Sequence, residues 1–281
     1  MDFTPAVYEH AAFLIGRTPW EASRDAELMF AGHAEAWRRY RHAPVVVGID
    51  IYNLEAEAYG GAIDPPRGTG IPAIGRPLCR SVDELGQLAP LEPDVAGRIP
   101  MALDVAVRLA RELPEADVRL PVSGPFSIAS NLLGFETLLC EALTRPEETE
   151  AALRHLVEGQ AAFAQAIRDR GLDVAFFESA AAPPLLSPEL FRRVELPALK
   201  EAMQRIGQIV DHPVPCIIGG DTAPILDAIL STGTGYVICP AETDQAAFMR
   251  GAWDRTEVRV RVNTSPEIMA RGTHDQLREE I

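Results

Sequence analysis

Carboxylates dominate the chemistry this sequence can offer. Asp50, Glu55 and Glu57 cluster directly after a β-branched run that begins at Val45. Carboxyl groups this close can raise one another's pKa, leaving one able to donate or accept a proton near neutrality. The two glutamates could equally cap the helix that follows or pair with arginines. Tyr52 and Asn53, in the same stretch, offer hydrogen bonds to orient a carbonyl or amide. Glu178 ends the apolar run Val174-Ala-Phe-Phe177, where an acid is costly unless it meets a cavity, a cation or a hydrogen-bond donor. Ser123-Gly124 ends another such run; its glycine would let a ligand approach the backbone, or merely turn the chain. Gly219-Gly220-Asp221-Thr222 has the make-up of a small anion nest ahead of a Thr-capped helix, suited to phosphate or carboxylate.

Other nucleophiles and ligands are poorly placed. Cys216, Cys239 and His212 match no standard zinc spacing, and buried cysteines serving as small apolar residues are the commoner outcome. His10, His33, His155 and His274 fall in helical or terminal contexts that suit packing or solvation. No GxSxG elbow follows a strand. The one lysine, Lys200, is the single candidate for a Schiff base, in a segment that reads as an exposed helix.

The elements that must position these residues alternate short β-branched runs with amphipathic stretches, the pattern of βα units around a parallel sheet. Strands are expected at Val45 to Ile51, Pro77 to Arg80, Val118 to Ser123, Asp173 to Glu178, Val214 to Gly219, Tyr236 to Cys239 and Val258 to Val262. Thr144-Arg-Pro-Glu147 reads as a capping box, and Leu153, Leu156, Val157, Ala164 and Ile167 then share one helical face. Ser187-Pro-Glu189 and Ser265-Pro-Glu267 repeat a Ser-capped start, and Gly272-Thr273 with Gln276 opens a last helix. Residues 1–44 form an amino-terminal helical segment. Asp64 to Gly75 is rich in Gly and Pro and reads as a loop over one end of the sheet, either a lid or a passive connection. The expectation is one domain spanning residues 1–281.

Composition narrows the class. The 281 residues hold 26 Lys+Arg against 41 Asp+Glu, a formal charge of −15, with 47% apolar residues. That charge disfavours nucleic acid and anionic membranes, which are bound through clustered cations. Four cysteines without a CxxC pair, an acidic amino end and no long apolar run point to a cytoplasmic enzyme acting on a small molecule.

Five segments, taken together, carry a resemblance: Gly48-Ile-Asp-Ile-Tyr-Asn-Leu-Glu-Ala-Glu-Ala-Tyr-Gly60, Val122-Ser-Gly-Pro-Phe126, Phe177-Glu-Ser179 leading into Leu186-Ser-Pro188, Gly220-Asp-Thr-Ala-Pro-Ile-Leu226, and Asn263-Thr-Ser-Pro266. In kind and order this resembles the uroporphyrinogen decarboxylase superfamily, which holds porphyrinogen decarboxylases and corrinoid-linked methyltransferases. The resemblance implies an α/β fold, a (β/α)8 TIM-type barrel, here short of one strand at the carboxyl end, with chemistry at the carboxyl ends of the strands. The departures set the branch. Arg17-Thr-Pro-Trp20 running into Ser23-Arg-Asp25 stands in place of the arginine motif that holds tetrapyrrole carboxylates. Asn131 replaces a family tyrosine. Aligning Gly220-Asp221 with the family turn puts Ile217 and Gly219 where the thiol methyltransferases carry a His-x-Cys zinc pair, and Cys216 is one residue off, on the other face of the strand.

The resemblance therefore implies methyl transfer involving a corrinoid such as methylcobalamin, or a folate-type carrier, without tightly bound zinc and with a corrinoid protein as candidate partner. Decarboxylation of a tetrapyrrole or smaller acid is the alternative, and a non-catalytic corrinoid- or tetrapyrrole-binding scaffold is the second. Asp50, Glu55, Glu57 and Glu178 are the candidate catalytic acids; Tyr52, Asn53, Ser123, Gly124, Gly220, Asp221 and Asn263 are the candidate binding residues. An unpaired barrel edge would favour a homodimer.

Overall fold

A computed structural model describes residues 4–253 and 257–280. Seven strands are present among them: β1 (Val45–Val46), β2 (Ala62–Asp64), β3 (Ala73–Arg76), β4 (Val118–Ser123), β5 (Asp173–Phe177), β6 (Tyr236–Cys239) and β7 (Arg259–Val262). β1, β4 and β5 are parallel neighbours, as are β6 and β7. Parallel bridges from Phe177 to Ile217 and from Cys216 to Val237 join the two groups. The result is one row of parallel segments in chain order, with helices between them, so the chain is α/β with a parallel sheet.

The row has two unlike faces, as the two-residue period of a strand requires. Leu120, Val122, Val174, Phe176, Cys216, Val237 and Cys239 join the main core with the buried sides of the helices Ile99–Glu112, Pro146–Asp169 and Leu196–Val210. Phe126, Phe163, Phe176 and Phe191 are fully buried there, each worth about 1.5–3 kcal/mol of hydrophobic stabilisation. The opposite, inner face carries a smaller cluster of Val46, Ala175 and Phe177 with Ile51, Ile217 and Tyr8.

The expected Val45 to Ile51 strand stops after Val46. Val47 N–H still donates to Arg119 O at 2.8 Å, but the next rung would need an N–H from Pro121, which has none. Gly48 (φ +146°) then bends the chain away into a 3-10 turn at Ile51–Asn53. Pro77 to Arg80 is not a strand. The pairing partner in that region is β3, which forms an antiparallel hairpin with β2, so both ends of the Asp64 to Gly75 loop are ordered. Val214 to Gly219 contributes only the two bridges at Cys216 and Ile217.

Helix starts follow local chemistry in three of four cases. Ser187 Oγ accepts from Leu190 N–H, Ser265 Oγ from Ile268 N–H, and Thr273 and Gln276 cap each other reciprocally. The Thr144 capping box does not form. Thr144 is the last residue of the helix Phe135–Thr144, and its hydroxyl donates back to Cys140 O at 2.7 Å. The amphipathic helix Pro146–Asp169 follows and buries Leu153, Leu156, Val157, Ala164 and Ile167. No single helix among the described residues is long and apolar enough to cross a membrane.

Candidate functional site

Arg98, at the start of the helix Ile99–Glu112, organises the acids after β1. Its guanidinium donates to both Asp50 oxygens (2.6 and 2.8 Å), to Glu57 Oε2 (2.5 Å) and to Ser23 O (2.8 Å). Planar, two-pronged geometry of this kind is what guanidinium and carboxylate favour. Asn53 Nδ2 donates to Asp50 Oδ2 at 3.3 Å and to Pro72 O at 2.7 Å, tethering the Gly- and Pro-rich loop to the same network. Asp50 and Glu57 are thus joined through one cation rather than set against each other.

Glu55 points elsewhere, toward the end of β4, and accepts from Ser123 N–H (2.6 Å) and Ser123 Oγ (3.0 Å). Full burial pushes its carboxyl up to about 7, against the pull of those donors; the cause is loss of water, not the neighbouring acids. Ser123 is therefore occupied by Glu55 on the protein side.

Glu178, one residue past inward-facing Phe177, turns to the helix side, away from the inner face. It accepts from Ser127 Oγ (2.5 Å) and Phe126 N–H (3.1 Å) at the start of the helix Pro125–Leu133. Hydrogen-bond donors, and not an open cavity, make its burial tolerable. Opposite it lies Glu195, also fully buried, whose two oxygens have no conventional hydrogen-bond partner. Burial and the nearby Glu178 charge hold Glu195 well above the usual carboxylate range. Burial raises Glu178 too, against the pull of its donors; two carboxyls in one dry site cannot both ionise, and Glu195, without such donors, is held higher. Glu195 ends a π-helical turn, Phe191–Glu195.

Gly124 serves this acid pair. A Cβ at position 124 would stand 2.0 Å from Glu178 Oε2, so the close approach that requires glycine is by a side chain of the protein, not a ligand. Gly124→Ala is expected to cost about 1–3 kcal/mol through overpacking, read as a lower midpoint in urea unfolding. An unchanged midpoint would show that Glu178 has room to move.

The inner face, at the carboxyl ends of the strands, joins Tyr52 to Tyr8, Glu9 and Arg261, which sequence patterns did not single out. Tyr8 and Tyr52 meet Phe177 edge-on, with ring centroids 6.0 and 6.4 Å away. Glu9 lies near Asp50 and Tyr52, and burial followed by the Asp50 charge raises its carboxyl above the ordinary range. Arg261 sits near Tyr8 and donates to Thr4 O (3.2 Å) and Asn263 Oδ1 (3.1 Å). The only sequence-level signal for Tyr8 and Glu9 is a short helix start ahead of the first strand. Asn131, at the position of the family tyrosine, donates to Tyr52 O at 2.6 Å.

The Gly220-Asp221 turn is closed by its own chain. Gly220 (φ +85°) takes a conformation suited to glycine, and Thr243 Oγ1 accepts from Thr222 N–H (2.7 Å) and Ala223 N–H (3.2 Å) while donating to Asp221 Oδ1 (3.0 Å). The expected Thr222 cap is not made, and Thr243 takes the N–H groups an anion would need.

The residues at the family's zinc positions do not fit a metal. Ile217 packs on the inner face, Gly219 has no side chain, and Cys216 is buried on the helix side with its thiol pushed well up by burial. Among the described residues no three His, Cys, Asp or Glu are grouped to hold a metal ion. His212 pairs with Asp173 at 3.0 Å. It lines two surface grooves at the amino ends of the strands, one also touching Lys200. Parallel α/β folds place their chemistry at the opposite end, so neither groove is assigned a role.

The parallel α/β fold and the strand-end acids define a class, and residues 3–281 match the family described as uroporphyrinogen decarboxylase (URO-D); the chain belongs to that family. Among characterised relatives it is 28% identical over 151 residues to the Methylcobamide:CoM methyltransferase MtaA of Methanosarcina barkeri. The matched stretch is 53% of this chain and 43% of that protein, less than half its length. A methyltransferase from Methanosarcina mazei has the same fold, with a TM-score of 0.79 at 22% identity, covering 99% of this chain and 82% of that one.

Proposed function

We propose that this protein is an enzyme transferring a methyl group between a corrinoid and an acceptor that needs no zinc-bound thiolate. The observation that carries the reading is the pairing of similarity to a methylcobamide methyltransferase with Ile217 and Gly219 at the zinc positions. An acceptor already nucleophilic, such as a pterin nitrogen of a folate-type carrier, fits such a site. The parallel row is then the greater part of a (β/α)8-type barrel forming a single domain, with the amino-terminal segment lying along its inner face and the 65–72 loop acting as a lid tethered through Asn53.

In this reading Arg98 fixes Asp50, and Tyr52 and Asn263 face the substrate. A nitrogen acceptor gives up one proton as it gains the methyl group. Glu9 receives it, being half-buried and shifted toward neutrality. Glu55, Glu57 and Glu178 position the strand ends. A corrinoid protein is the natural methyl donor, and the protein works as a homodimer.

The test follows the visible spectrum of methylcobalamin with purified protein and either tetrahydrofolate or 2-mercaptoethanesulfonate. Demethylation with the folate is expected, and Glu9→Gln should slow it on the order of 10²-fold. Zinc-dependent demethylation by the thiol alone would overturn the assignment. Release of carbon dioxide from a carboxylated tetrapyrrole, without methyl transfer, would make the chain a decarboxylase.

A further inference from the structure

Arg261 is a cation on the inner face with no counter-ion among the described residues. Its neighbour Val260 packs into the helix-side core, so strand alternation sends Arg261 inward, near enough to Tyr8 for its charge to act on that hydroxyl. It forms no ion pair among the described residues. Nε is spent on Asn263 Oδ1, and Nη1 on Thr4 O and Thr4 Oγ1 at 3.2 and 3.4 Å, while Nη2 donates to nothing among them. Because Arg can only donate, Asn263 must turn its oxygen toward it. The Asn263 amide nitrogen makes no hydrogen bond among the described residues either.

Two unspent donors on one guanidinium–amide pair form a fork for an oxyanion. An arginine with a donor to spare can take an anion without giving up a contact it already makes. We propose that Arg261 and Asn263 bind the anionic end group, a carboxylate, sulfonate or phosphate, of the enzyme's small-molecule substrate. This rests on the methyl-transfer reading only in calling the ligand a substrate; the binding site itself does not depend on it.

Calorimetric titration of the purified protein with acetate, methanesulfonate and inorganic phosphate tests the site and distinguishes the three sources. At least one should bind saturably. Arg261→Gln keeps length and hydrogen bonding but removes the charge, so it should weaken that binding about tenfold or more, the worth of one charge-assisted hydrogen bond. Arg261→Lys should retain part of it, and Arg259→Gln, altering an exposed arginine on the same strand, should leave it unchanged. Saturable binding by none of the three, or equal binding by wild type and Arg261→Gln, would overturn the proposal. If methylcobalamin is demethylated while no oxyanion binds, this site alone is wrong. If an oxyanion binds through Arg261 without any methyl transfer, the functional reading alone is wrong.

Discussion

Arg98→Met is expected to cost about 3–5 kcal/mol of stability, because it leaves the buried Asp50 without its cation, while Glu57 keeps only its 3.8 Å pair with Arg24. Asp50 is 2% exposed and Arg98 9%, so water cannot readily replace the lost donors. The Ser23 carbonyl would lose its partner as well. Urea unfolding of the single variant, and of Arg98→Met combined with Asp50→Asn, checks this. The second substitution should recover part of the loss, since an amide needs no counter-charge. A loss below about 1 kcal/mol would place the network in the class of solvated surface pairs.

Glu195→Gln is expected to make the protein more resistant to urea than the wild type in mild alkali. Glu195 and Glu55 both have folded pKa values raised by burial, Glu55 to about 7. A group raised in this way contributes stability that is fully present below the unfolded carboxyl range and lost as pH rises through the folded value. In that window the unfolded chain is ionised and the folded one is not, so each group removes about 1.4 kcal/mol per pH unit. Unfolding measured between about pH 5 and pH 8 should fall steeply for the wild type and less steeply for Glu195→Gln and Glu55→Gln. Parallel profiles for all three proteins would mean that these acids ionise in the folded state with little penalty.

What the sequence disclosed divides along the range of the interactions involved. Ser187, Ser265 and Thr273 cap helices three residues away, and such contacts follow from composition alone. The face formed by Leu153, Leu156 and Val157 was legible for the same reason. The end of β1 was not, because it depends on a proline across the ladder at position 121. The site divides likewise. Asp50, Tyr52 and Asn53 stand out by their place after a strand, whereas Arg98, 48 residues from Asp50, carries no local mark. Tyr8 and Arg261 are neighbours only because opposite ends of the chain come together, with Arg261 bonded to a residue 257 positions earlier. Glu195 was hidden differently, in a segment with ordinary helical composition.

That segment has a consequence for how the acid pair tolerates change in chain length. A π turn is an α-helix that has absorbed one extra residue. Deleting one residue between Phe191 and Glu195 would restore regular winding while leaving the Ser187 cap upstream and the helix Leu196–Val210 downstream intact. Because the wide turn had taken up the extra residue, the two flanks would keep nearly the rotation they have now, and Glu195 its place opposite Glu178. The same deletion inside the regular helix Leu196–Val210 would instead turn everything beyond it by about 100°. The segment just ahead of the acid is therefore where this helix can lose a residue without dismantling the pair.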